Sequence, residues 1–270
     1  MSELFAATIR DRRRAWIWWS LAMVVTVALV VVSYGAIEGQ TELEQSMADI
    51  PDSLRVLMGI DAELTLTSPA GYLNSQLFAN MLPLLLTIYG IGVAARVLAG
   101  EEGEGRLELL LAHPVPRRRV LTDRGVATLA LLAALAVVST AALLASSPVA
   151  GLDGIGLDDL LAASAGSLLL ALLHTAVTFG VGAWTGRRGV AIAAGSAVTA
   201  GGFLVQSLAN VSEVLHPLRW LSPWHWFLDA RPIVDGFGPM LVPALGTLAL
   251  SAIVVAAGAW RFQVRDIGSA

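Results

Sequence analysis

Six stretches of this 270-residue chain carry no Asp, Glu, Lys or Arg: 15–37, 64–95, 125–152, 160–186, 189–212 and 236–260. The shortest is 23 residues long, and a bilayer hydrocarbon core takes roughly 20 apolar residues per helix. Inside that core no water satisfies backbone N–H and C=O groups, so a spanning segment must bond itself as a helix or close into a barrel. Six stretches of this length predict six helical crossings. Only 14% of the residues are charged and the mean hydropathy is +0.71, against about 25% charged in soluble domains. The expected fold class is all-α: one polytopic transmembrane domain, with no sizeable soluble one.

The expected crossings are 15–37, 72–98, 125–147, 160–184, 190–209 and 240–260. Arg10, Arg12, Arg13 and Arg14 precede the first, but its 23 residues exceed the roughly 7–15 of a cleavable signal core, so it is retained. Within 1–14, Leu4, Phe5 and Ile9 share a helical face opposite Arg10 and Arg13, which predicts a separate helix lying on the inner surface. With the N-terminus inside, 14 of the 17 arginines fall on inner segments, leaving Arg55, Arg219 and Arg231 outside. This bias puts both termini in the cytoplasm.

Some chemistry is excluded outright. There is no cysteine, so no disulfide, thiolate or Cys-ligated metal. All 17 basic residues are arginine, which removes Schiff-base lysines and any phosphate loop built on Gly-Lys-Ser/Thr. The chain has no such loop with which to bind ATP.

Three extramembrane segments have some length. Segment 38–71 is external and acidic, with a short surface helix expected at 53–58 that sets Leu54 and Leu57 on one side. Segment 210–239 is external and rich in Pro and Trp, among them Trp220, Pro223, Trp224 and Trp226. Tryptophan favours the headgroup level, so this segment is expected to dip into the outer interface. The cytoplasmic loop 100–119 reads GEEGEGRLELLLAHPVPRRR. Its glycines break the preceding helix, Glu101, Glu102 and Glu104 suit the positive end of a new one, and Pro114 and Pro116 stop it. An uncovered apolar helix at this place is costly. Lying on the bilayer or docking against another protein would each cover it, and the residues alone leave both open.

In that setting the loop resembles the signature of permease subunits of type-2 ABC transporters of the exporter class, roughly Glu-Glu-x-x-Gly-Thr-Leu-Glu-x-Leu-Leu-x-x-Pro-Val-Ser-Arg. The matching positions are Glu101, Glu102, Gly105, Leu107, Glu108, Leu110, Leu111, Pro114, Val115 and Arg117, with Arg106 where Thr is common and Pro116 where Ser is common. Six crossings, a long external loop after the first, Ser222-Pro223-Trp224 and a closing Arg265-Asp266 extend the resemblance over the chain. It implies a coupling helix seated in a separate ATPase, with Leu107, Leu110 and Leu111 as apolar contacts and Glu101, Glu102 and Arg117 as polar ones. Gly105, Arg106, Glu108 and Pro114 belong to the same coupling segment. The implied assembly has two ATPase subunits, which hold the ATP and Mg, and two permeases, here a homodimer in a prokaryotic plasma membrane. Lipids surround it, and no nucleic acid is a partner. Trp220, Pro223, Trp224 and Trp226 would form an external gate. The chain itself would bind no cofactor or metal and have no catalytic residue. A pathway without fixed charges would suit a hydrophobic or amphipathic cargo such as a drug, an antibiotic or a lipid.

Other readings were open to the same residues. Glu101-Glu102-x-x-x-Arg106 and His225-x-x-x-Asp229 resemble two motifs of CAAX-type intramembrane metalloproteases, but the topology sets them a bilayer apart. An ion-coupled secondary transporter would show half-repeats and buried acidic residues at mid-membrane, and no crossing contains one. His174 lies within a crossing, where an ionisable group either packs or lines a path. Asn80 and Gln206 pose the same alternative of cavity lining or helix adhesion. Gly182-x-x-x-Gly186 offers a small-residue face for close helix contact, including a dimer face.

Overall fold

The described residues of this chain are mostly helical, and the helices run through clustered charge as well as through apolar sequence. The computed structural model describes residues 3–37, 67–149, 151–152, 154–211 and 214–267. The helix expected at 53–58 lies outside them. We label the helices α1 (Glu3–Ser33), α2 (Pro69–Gly103), α3 (Arg106–Leu111), α4 (Arg117–Ser146), α5 (Leu157–Thr185), α6 (Arg188–Val211), α7 (Pro223–Leu228), α8 (Pro232–Asp235) and α9 (Leu241–Val264). Among the described residues six, α1, α2, α4, α5, α6 and α9, are long and apolar enough to cross a membrane.

The first crossing differs from the sequence expectation. No separate surface helix precedes it: α1 runs unbroken through Arg14 and Ala15. Nothing in Asp11–Trp16 breaks a helix, and Leu4 and Ile9 pack on the bundle core instead of a lipid surface. Its 31 residues extend about 46 Å, more than the hydrocarbon core, so the arginine-bearing turns project beyond it as one rod. Likewise α4 begins at Arg117 rather than near 125. Pro116 sets an extended entry (φ −66°, ψ 137°), and with no breaker before Gly125 the arginines ride on the first two turns.

The bundle is organised around α5, which touches α2, α4, α6, α8 and α9. Two-thirds of the most apolar stretch of α2 and of α5 is buried, against 17% for α1 and α9, so the first pair form the core and the others face outward. Small residues allow close approach. A Cβ on Gly258 of α9 would stand 2.4 Å from the Gly180 carbonyl oxygen of α5, so both must stay glycine where these backbones cross. Gly182 packs on Ala99 and Ala191, and Gly186 closes α5 at φ +69°. Both glycines of that motif therefore serve contacts within the chain.

Helix α2 is interrupted twice. Asn74–Phe78 and Arg96–Gly100 are π-turns, and Asn80 departs from helical geometry at φ −140°. Pro83 has no N–H to return to the Ala79 carbonyl, which accounts for the first break. The second tilts the chain into the loop that leads to α3. Outward-facing Trp18, Trp184 and Trp260 mark the arginine-rich end of the bundle, and Trp220 the opposite end.

Candidate functional site

At the arginine-rich end, Gly105 adopts φ +71° and turns the chain into α3, a conformation an L side chain rarely takes. After α3 the Nδ1 of His113 lies 3.1 Å from the Leu109 carbonyl, and Pro114 ends the turn. The four leucines of α3 divide unevenly. Leu107 is fully buried, Leu110 and Leu111 pack partly on the core, and Leu109 is 70% exposed. Leu107 therefore roots the helix instead of contacting a partner, and Leu109, which the sequence reading passed over, is the apolar side chain left outward. Arg106, Ala112, His113 and Pro114 are exposed around it, with Glu104 and Arg106 forming an exposed ion pair. Glu108 is half-buried.

The two preceding glutamates are not surface contacts. Glu101 and Glu102 are each 5% exposed. Glu101 is gripped by both terminal nitrogens of Arg124 on α4, with Arg12 of α1 at 3.7 Å. Glu102 is gripped by both terminal nitrogens of Arg265, just past α9, whose Nε donates to the Ala183 carbonyl at 3.1 Å. Arg117 also turns inward, donating to the carbonyls of Phe262 (3.2 Å) and Arg265 (2.6 Å) at the end of α9, where orphan acceptors collect. Glu101 and Glu102, expected as polar contacts to a partner, are thus engaged within the chain, and half-buried Arg117 spends its guanidinium on the end of α9. Charges in a dry environment are stable only when paired and fully hydrogen-bonded, and these are paired within the chain. That rule was the available signal for Arg124 and Arg265, since both glutamates lie beside apolar crossings.

At the opposite end, residues 216–239 fold back against α5 and α6. Ser222 is fully buried and donates to the Gly202 carbonyl at 2.7 Å. Gly202 lies nine helical steps before the end of α6, so α7 begins about 13 Å below that end. Trp224, 1% exposed, packs edge-on against Phe203 at 5.6 Å and lies 6.5 Å from His174. Trp226 donates to the Trp220 carbonyl at 2.8 Å. The expected gate residues therefore part company: Pro223 and Trp224 are buried wedges, Trp220 is exposed, and Trp226 is intermediate.

A groove of about 390 Å³ opens between α2 and α6, lined by Asn80, Leu84, Thr87, Ile88, Thr199 and Phe203 and floored by Trp224. Of the expected path residues, Asn80 lines it. His174 does not: it is fully buried beneath Trp224, its Nδ1 donating to the Leu170 carbonyl at 2.7 Å. Gln206, 8% exposed, is not among the lining residues. Among the described residues no three His, Cys, Asp or Glu gather as a metal site, and Glu101 and Glu102 are committed to arginines, so the metalloprotease pattern has no geometric counterpart.

No curated protein matches the sequence. A family model described as ABC-2 family transporter protein matches residues 4–267. With its six apolar helices spanned by that match, this multi-pass membrane protein belongs to the ABC-2 family of transporters, as a membrane-embedded permease whose family implies an ABC ATPase partner.

Proposed function

We propose that the chain is the permease subunit of an ATP-driven exporter, worked through residues 100–119 by a separate ATPase that holds the ATP and Mg. The observation that carries this reading is Leu109: an outward leucine, 70% exposed, on a short helix whose root is buried and ionically fixed. An apolar knob on a rigid mount suits a groove in another protein better than a lipid surface, which would not require the mount. Arg106, His113 and Pro114 complete the docking face. Two ATPases serve two permeases, and the one-sided groove between α2 and α6 favours a homodimer in which a second copy closes it. Its lining, mostly apolar with Asn80 and two threonines, suits a hydrophobic or amphipathic cargo. The arginine distribution supports cytoplasmic termini in a prokaryotic plasma membrane, with the 216–239 hairpin as an outer gate closed by Trp224.

Leu109→Asp tests the docking. The side chain is exposed, so the permease should keep its fold to within about 0.5 kcal/mol. Co-purification with the ATPase should fall about tenfold or more, as for loss of an interface anchor. Full recovery of an active ATPase complex with this variant would overturn the reading.

A further inference from the structure

Glu101 and Glu102 are adjacent in sequence, yet they hold different parts of the bundle. Glu101 binds Arg124 on α4 and lies near Arg12 on α1, two helices packed along each other. Glu102 binds Arg265, which straps across from the end of α9 in an extended conformation (φ −80°, ψ 152°) to the Ala183 carbonyl of α5. Gly186 makes room for this joint: a Cβ there would come within 2.6 Å of Glu102 Oε1 and 2.8 Å of Arg265 Nη1. From the joint, contact continues to the far end. The backbones of α5 and α9 touch at Gly180 and Gly258, and a Cβ on Gly166 of α5 would rest 3.5 Å from Phe227 and 3.7 Å from Pro232 of the hairpin.

We propose that the Glu102–Arg265 pair is a positioning joint that carries displacement of α3 into the α5–α9 unit and so to the Trp224 hairpin, while Glu101–Arg124 serves the α1–α4 unit. The inference rests on the ATPase-driven reading above. A two-pronged guanidinium–carboxylate pair fixes orientation as well as distance, so it transmits rotation as well as thrust, which a single ammonium does not. At the hairpin the contacts are mainly aromatic, and such surfaces slide more readily than they separate. The chain's closing Arg265 is thereby a working part of coupling, rather than the trailing end of a crossing.

The chain contains no cysteine, so Leu221→Cys, at a 73% exposed hairpin position, gives a clean reporter. The full permease–ATPase complex in lipid nanodiscs would be labelled with a maleimide, without nucleotide and with ATP, Mg and vanadate. The labelling rate is expected to respond to nucleotide in the otherwise unaltered chain. R265Q and E102Q should each shrink that response at least about fivefold, the lower range of allosteric couplings. The double variant should do no worse than either single one, because both break one joint. R265K, which keeps the charge and protects the fold, should lose the response as well, while R124Q should change it less than about twofold. Equal loss in R124Q and R265Q, additive losses, or an assembled complex whose hairpin ignores nucleotide would each overturn the joint. Failure of any ATPase to co-purify would instead remove the functional reading beneath it.

Discussion

The two ends of this bundle are held together by opposite means. At the arginine-rich end, two buried carboxylates are clamped by arginines from α4 and from the end of α9, and a third arginine binds the last carbonyls of α9. At the hairpin end, ring contacts dominate: Trp224 on Phe203 at 5.6 Å and Trp220 on His225 at 4.9 Å, with Ser222 bonding the α6 backbone. Buried polar atoms without a hydrogen-bond partner occur at both ends, His174 Nε2, Trp224 Nε1 and His225 Nε2 here and Arg12 Nε and Arg124 Nε in the clamp. Charge-assisted pairs are directional and lose energy steeply when displaced, whereas ring faces tolerate small shifts. The difference is one of tolerance: the arginine-rich end is fixed in orientation, and the hairpin end is held by contacts that allow small shifts.

The sharpest break in the comparison comes from the clamp. Arg124→Ala leaves Glu101 buried with Arg12 at 3.7 Å as its remaining cation. Loss of one partner of a buried pair costs about 3–5 kcal/mol, and the residual arginine places this variant near the lower figure, about 3 kcal/mol. Reversible unfolding in detergent measures it. A loss below about 1 kcal/mol would mean that the buried clamp behaves like a surface pair and that the ends differ less than their geometry says.

What was legible in the sequence follows the same division. The crossings could be read because lipid forbids unpaired charge over some 20 residues, a rule that acts along the chain. The turn into α3 was legible for a local reason too: Gly103, Gly105, Pro114 and Pro116 bracket it. The partners of Glu101 and Glu102 lie 23 and 163 residues away, beyond any local pattern. Four leucines within Leu107–Leu111 surround a single polar residue, Glu108, too little to orient the helix, so the choice between Leu107 and Leu109 was set by tertiary packing. His174 looked like a path residue because it stands in a crossing, and only Trp224, 50 residues on, removes it from the groove.

A smaller effect probes the hairpin end. Ser222→Ala removes the hydroxyl that donates to the Gly202 carbonyl at 2.7 Å, one hydrogen bond worth about 1 kcal/mol. The carbonyl belongs to a helix and keeps its own backbone donor, so little further penalty follows. The loss should be local, read as faster amide exchange across residues 216–235 with the unfolding midpoint of the bundle nearly unmoved. A global shift as large as that of Arg124→Ala would show that the hairpin is as rigidly built as the base.

The smallest effect sharpens the comparison most, because it holds chemistry constant. Glu104 and Arg106 pair the same two residue types as Glu101 and Arg124, three residues further along the chain, but through one guanidinium nitrogen and with each side chain 54% exposed. Water screens the charges, and two long side chains lose freedom to meet, so such pairs contribute about 0–1 kcal/mol. Glu104→Gln should therefore shift stability by less than about 0.5 kcal/mol, and even that remainder should vanish at 1 M salt, where the screening length is about 3 Å. The Arg124→Ala loss should survive the same salt, since ions do not enter a buried clamp. Measured side by side in low and high salt, the two variants separate the worth of a glutamate–arginine pair from the worth of its burial.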